Sequence, residues 1–274
     1  MQIDGKTALV LGASRGIGRQ IATALAEKGA RLVVTYFDWP EDSRTMLQEF
    51  SQKGYDHLAI QVDLRQPEAI QRLFQQLLEK YGGLDILINN IERGGMPVVH
   101  GPYSEKQWEL EMATTLKAKW WVVQEAMPLL RKAAEAIIVT LSSIAAVVGR
   151  SGPAGLIFND GYAAANRAVS SFTETWAREG APMVRVIELM LGFVETRHGE
   201  GTRGWGLLSE EQRRQIIETA LLARTGRIEE VVAAILFLIE KATYMTGNLI
   251  RMDGGYVLGT NRVPPMPAGV ERNV

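Results

Sequence analysis

The stretch Leu11-Gly12-Ala13-Ser14-Arg15-Gly16-Ile17-Gly18 has the residue types and spacing to hold a phosphate. Glycines permit a tight turn and let backbone N–H groups approach a pyrophosphate, which also gains from a helix N-terminus. The strand-like run Thr7-Ala8-Leu9-Val10-Leu11 leads into it, and a helix with Ile17, Ile21, Ala24 and Leu25 on one face leads out, ended by Gly29. Strand, loop and helix in that order predict a dinucleotide fold rather than an isolated turn.

The rest of the chain repeats the alternation. Arg31–Thr35, His57–Val62, Leu84–Asn89, Ala136–Leu141, Met183–Leu189 and Leu249–Met252 read as further strands. Helices are expected near Glu41–Lys53, Pro67–Tyr81, Glu105–Arg131, Tyr162–Arg178 and Glu229–Lys241, with a further helical pattern around Ser209–Leu222. Apolar runs without strict alternation imply strands covered on both faces. The expected fold is therefore α/β, a Rossmann-type doubly wound parallel sheet of about seven strands. No linker divides it, so residues 1–258 read as one domain. Residues 259–274, with three prolines, read as an extended tail. The glycine-rich Gly149–Gly161 and the stretch Gly192–Gly206 leave the sheet on the side of the glycine loop and are the expected pocket walls.

Composition narrows the function. In 274 residues, 30 Lys+Arg balance 31 Asp+Glu, which argues against a nucleic-acid partner. No apolar run reaches membrane-spanning length and no signal-peptide layout is visible, so a cytoplasmic protein is expected. Zero cysteines exclude thiol catalysis. His57, His100 and His198 lie far apart and read as surface loop residues, so no metal site is expected.

The loop spacing is G-x-x-x-G-x-G, and GKTALVLGASRGIGRQIATALAEKGA resembles the opening of short-chain dehydrogenases/reductases, especially the β-ketoacyl-carrier-protein reductase branch. The likeness continues through Val62-Asp63-Leu64, Leu84–Asn90, Leu141-Ser142-Ser143, Tyr162-Ala163-Ala164-Ala165, Gly192–Thr196, Gly226-Arg227, Tyr244–Gly247 and Met252–Gly255. It implies hydride exchange between a nicotinamide and a small-molecule carbonyl or enone, with Tyr162 as proton donor and Ser143 as anchor of the substrate oxygen. It implies cofactor contacts from Gly12, Ser14, Arg15, Gly16, Ile17, Gly18, Asp63, Leu64, Asn89, Asn90, Tyr162, Asn166, Val194 and Thr196. Asp63, matching the adenine contact, could equally be a turn former. Where the family's NAD-selecting acid would end the second strand stands Thr35-Tyr36-Phe37, with Asp38 later. Arg15 sits where similar enzymes place a cation against a 2′-phosphate. Both features favour NADP over NAD, although Arg15 could be a plain surface charge.

Four departures gather at the nicotinamide end. The family's Tyr-x-x-x-Lys ends here in Asn166, and its helix asparagine aligns with Thr115. Its Asn-Asn-Ala-Gly turn reads Asn89-Asn90-Ile91-Glu92, and its Pro-Gly reads Leu191-Gly192. The missing lysine would hold the nicotinamide ribose and lower the tyrosine pKa from about 10. Asn166 can offer a ribose hydrogen bond but no charge. Arg167, about 100° round the helix, is a poor substitute. Lys119, one turn beyond Thr115, and Arg93 are conceivable replacement cations, though a helix lysine is usually solvated. Trp120-Trp121 reads as core and subunit interface. The alternatives to a reductase are a nucleotide-binding pseudoenzyme or regulatory subunit, and a non-redox lyase or isomerase with Glu92 as base. The long apolar helices and Leu249–Val257 resemble the family's subunit contacts, implying a homotetramer or dimer.

Overall fold

A computed structural model describes residues 1–91, 104–196 and 205–259. The tail beyond Gly259, Glu92, Arg93, His100 and His198 lie outside the described residues. The strands are β1 (Thr7–Val10), β2 (Arg31–Tyr36), β3 (His57–Gln61), β4 (Ile86–Asn89), β5 (Ala136–Ser143), β6 (Val184–Leu191) and β7 (Asn248–Met252). They form one seven-stranded sheet in the order β3-β2-β1-β4-β5-β6-β7, every pairing parallel. Successive strand residues feed opposite faces. Ala8 and Val10 join one core with α1 (Gly16–Glu27) and α9 (Ile228–Glu240), while Leu9 joins another with α3 (Pro67–Tyr81) and α5 (Ala118–Leu130). Both faces being covered explains why the strands read as apolar runs.

Strand order reverses between β1 and β4, which opens a crevice at their carboxyl ends. α2 (Pro40–Gln52) borders it on one side, and α7 (Asp160–Gly180) borders it on the other. α7 begins two residues before the expected start because Asn159 caps it, its Oδ1 accepting the Tyr162 N–H at 2.9 Å.

Three expectations need correction. The helix expected over Glu105–Arg131 is interrupted: α4 (Glu105–Glu111) passes through a π-helical stretch, Met112–Lys117, before α5. Thr114 lines the cavity there, and π-helical turns of this kind gather at functional sites. The loop expected over Gly149–Gly161 is partly helical: α6 (Ala145–Val148) precedes it and a 3-10 turn spans Gly152–Leu156. His57 is a half-buried β3 residue whose ring nitrogen meets the Tyr55 carbonyl at 2.8 Å, not a loop residue. α8 is confined to Glu210–Thr219. Among the described residues no helix is long and apolar enough to cross a membrane.

Candidate active site

A cavity of about 720 Å³ occupies the crevice. Its floor is the glycine loop, where side-chain bulk is excluded by backbone. A Cβ on Gly18 would lie 2.2 Å from the Gly12 carbonyl oxygen, and one on Gly12 would lie 2.9 Å from the Asn90 carbonyl oxygen. Gly12 also needs φ of +67°. The loop is pinned from both sides. Thr35 at the end of β2 accepts the Gly12 and Ala13 N–H groups through its hydroxyl and carbonyl, at 3.1 and 2.9 Å. The Asn90 amide donates to the Leu11 and Gly12 carbonyls. The start of α1 carries no side-chain cap, leaving its N–H groups toward the cavity for an anion. The cradle fits the pyrophosphate of a dinucleotide.

The wall beyond the loop is ringed by charges already matched. Arg15 stacks over Trp39, its guanidinium carbon 4.3 Å from the ring centroid, and pairs with Asp42 at 3.5 Å. Trp39 takes a left-handed backbone, φ 65°, unusual for a bulky residue. Arg19 pairs with Glu49 and holds that carboxyl below its ordinary value. Arg65 grips Asp63 with two guanidinium nitrogens at 2.8 and 2.6 Å, and the Arg65 N–H caps the same carboxylate. Asp63 is thus both a turn former and a cavity residue. Sequence reasoning missed Trp39, Asp42, Glu49 and Arg65, because each acts through a partner distant along the chain or through a special backbone angle.

At the other end, Ser143 and Tyr162 line the same cavity, delivered by the end of β5 and the first turn of α7. The Ser143 hydroxyl accepts the Ala145 N–H at 3.2 Å. Phe158 packs against Tyr162, ring centroids 5.8 Å apart, and stacks on Phe193 at 5.3 Å. Gly12, Ser14, Arg15, Gly16, Ile17, Gly18, Asp63, Leu64, Asn90, Val194 and Thr196 also line the cavity.

Asn166, Asn89 and Thr115 do not line it; all three are fully buried. The Asn166 Oδ1 accepts the Ser143 N–H at 3.1 Å and its Nδ2 donates to the Tyr162 carbonyl at 3.0 Å. It splices the two elements that carry the serine and the tyrosine. The Asn89 amide donates to the Lys119 carbonyl, and the Thr115 hydroxyl has no hydrogen-bond partner among the described residues. Lys119 is not solvated: it is fully buried and its Nζ donates to the Leu141 carbonyl at 2.7 Å. Trp120 and Trp121 meet edge to face and pack on the α3–α5 core, away from the cavity.

Comparison with known proteins places this architecture. The family model described as enoyl-(acyl carrier protein) reductase matches residues 12–257. A 3-oxoacyl-(acyl-carrier-protein) reductase of Staphylococcus aureus is 32% identical over 254 residues, 91% of this chain and 97% of its own. One from Thermotoga maritima is 31% identical over 263 residues, covering 94% of this chain and all of its own. Among solved structures, a short-chain dehydrogenase/reductase from Serratia marcescens superposes with TM-score 0.80 at 26% identity over 94% of this chain and all of its own. The chain belongs to the short-chain dehydrogenase/reductase family.

Proposed function

We propose that this member of the short-chain dehydrogenase/reductase family reduces a ketone or enone with NADPH, Tyr162 donating the proton and Ser143 holding the substrate oxygen. The observation that carries the reading is that the glycine cradle, Ser143 and Tyr162 share one cavity. A reduced nicotinamide, when bound, supplies the hydride. The chain's own part is positioning and proton supply. The Ser143 hydroxyl, its oxygen already accepting from Ala145, is left with its proton to donate to a carbonyl oxygen. Tyr162 donates its phenolic proton as that oxygen becomes an alkoxide. Phe158, backed by Phe193 stacked behind it, gives the cavity an aromatic wall beside Tyr162.

Arg15 supports NADPH over NADH, because its guanidinium faces the cavity beyond the loop. Its pairing with Asp42 means that a 2′-phosphate competes with that carboxylate. Relatives that reduce 3-oxoacyl thioesters make these substrates the first to try. The protein is taken to act in the cytoplasm as a homotetramer or dimer. The test is NADPH oxidation followed by absorbance against ketones, enones and 3-oxoacyl thioesters, beside fluorescence titration of NADPH and NADH. Turnover with any carbonyl supports the reading. Tight nucleotide binding without turnover favours the pseudoenzyme, a reading supported by Asn166 having its amide committed to the backbone.

A further inference from the structure

Beneath Ser143 and Tyr162 lies a set of buried polar side chains centred on Glu188. Glu188 sits in the middle of β6, in the run Val-Ile-Glu-Leu-Met-Leu, and is fully buried. A carboxyl group there is costly unless hydrogen-bonded. It accepts the hydroxyls of Ser142 of β5 and of Ser170 of α7, the latter at 3.1 Å, and lies 3.4 Å from the Thr173 hydroxyl of α7, whose one proton is shared with the Val169 carbonyl at 3.2 Å. Burial pushes Glu188 up from the ordinary carboxylate value, opposed by those hydroxyls and by the positive charge of Lys119. Lys119, itself fully buried on α5, holds the Leu141 carbonyl at 2.7 Å, two residues before Ser143.

We propose that Glu188 is a positioning residue that locks the strand carrying Ser143 to the helix carrying Tyr162, so that anchor and proton donor keep one geometry. The proposal rests on the reductase reading above for its kinetic readout. One carboxyl group receives hydroxyls from both elements, so a slide of α7 along the sheet breaks its bonds on one side. Ser142 is the neighbour of Ser143. Thr173 lies eleven residues after Tyr162, about three helical turns, hence on the same face. Asn166 forms the upper rung of the same clamp, joining the Ser143 N–H to the Tyr162 carbonyl. Glu188 forms the lower rung and sets the distance over which the upper one works. Lys119 braces the strand side from α5.

A displacement near 1 Å at reacting groups costs orders of magnitude in rate. The consequence should fall on kcat, since the cofactor cradle is held separately by Thr35 and Asn90.

The experiment compares Glu188→Leu, Glu188→Gln and the double variant Ser170→Ala/Thr173→Val, which cuts the rung from the helix side and leaves the buried carboxyl group in place. With NADPH and the best carbonyl found, Glu188→Leu and the double variant should lower kcat about tenfold with both KM values within about twofold. Glu188→Gln, which can still bridge hydroxyls, should keep most of the activity. In parallel, carbon-13 tyrosine NMR, assigned with Tyr162→Phe, should show one Tyr162 line in the wild type, shifted or split in the severed variants and restored by Glu188→Gln. Wild-type kcat and an unmoved Tyr162 line in the folded double variant would overturn the proposal. So would a Glu188→Gln variant as impaired as Glu188→Leu. If the wild type reduces nothing, the reductase reading fails on its own and the NMR lines still decide the clamp. If Glu188→Leu does not fold, the double variant decides.

Discussion

The two ends of the cavity are built on different principles. The phosphate end is made of backbone: glycines whose Cβ atoms would collide with the loop, and N–H groups at the start of α1. The charges around it, Arg15–Asp42, Arg19–Glu49 and Arg65–Asp63, are partly exposed pairs. The end proposed to react is made of side chains, and the ionisable groups behind it, Glu188 and Lys119, are fully buried. Shape alone can select a pyrophosphate, so that end tolerates change around its rim. Proton transfer needs two side chains on two elements held to one distance, and that requires an interior network.

If the ends are separable in this way, Tyr162→Phe should lower carbonyl reduction by about 10²–10⁴-fold, the range of a lost general acid, while NADPH titration stays unchanged. Unchanged turnover would hand the chemistry to another group. Alcohol oxidation, which needs the tyrosine deprotonated, should climb above about pH 9 in the wild type, where no lysine stands at position 166. A rate-against-pH series in both directions checks it.

Gly18→Ala is the converse break. Forcing a Cβ against the Gly12 carbonyl costs about 1–3 kcal/mol of strain, so cofactor binding should weaken about tenfold or more by titration. The kcat at saturating cofactor should move far less. A fall in kcat without a fall in affinity would join the two ends together. Arg15→Ala should act more gently, narrowing the gap between NADPH and NADH by about tenfold at most, since the removed charge–phosphate bond is partly offset by the freed Asp42. Equal wild-type affinities for the two nucleotides would remove Arg15 from the cofactor's selection.

The smallest expected effect is the opposite pH response of the two ends. Glu49 is held below its ordinary value by Arg19, so its contribution to stability is present above that value and fades as pH falls through the lowered one. Glu188 is raised, so its contribution is complete below the ordinary value near 4.5 and is lost as pH rises through the raised one. Thermal melts should therefore show Arg19→Ala costing more at pH 6 than in acid. Glu188→Gln should gain relative to the wild type as pH rises above the ordinary carboxylate value. The same slope in both variants would contradict the assignment of their environments.

Part of this was legible in the chain. The glycine loop and the alternation of strands and helices follow from local patterns, because turns, capped helices and doubly covered strands write their demands into neighbouring residues. Resemblance supplied Ser143 and Tyr162, and both line the cavity. That Asn166 ties Ser143 to Tyr162 was not legible, since an amide's direction depends on what the fold brings within about 3 Å of it. Lys119 was expected to be solvated for the same reason: helix spacing gives the face of a side chain, not the strand behind it. A glutamate inside the apolar run of β6 was a visible anomaly whose partners were not.

The sequence by itself determined the sheet and the cradle, since each is fixed by residues near one another along the chain. Only the tertiary structure decided how the reacting groups are held. Ser142, Lys119, Asn166, Ser170, Thr173 and Glu188 come from four different elements, and hydrogen bonds act over a few ångströms whatever the separation in sequence.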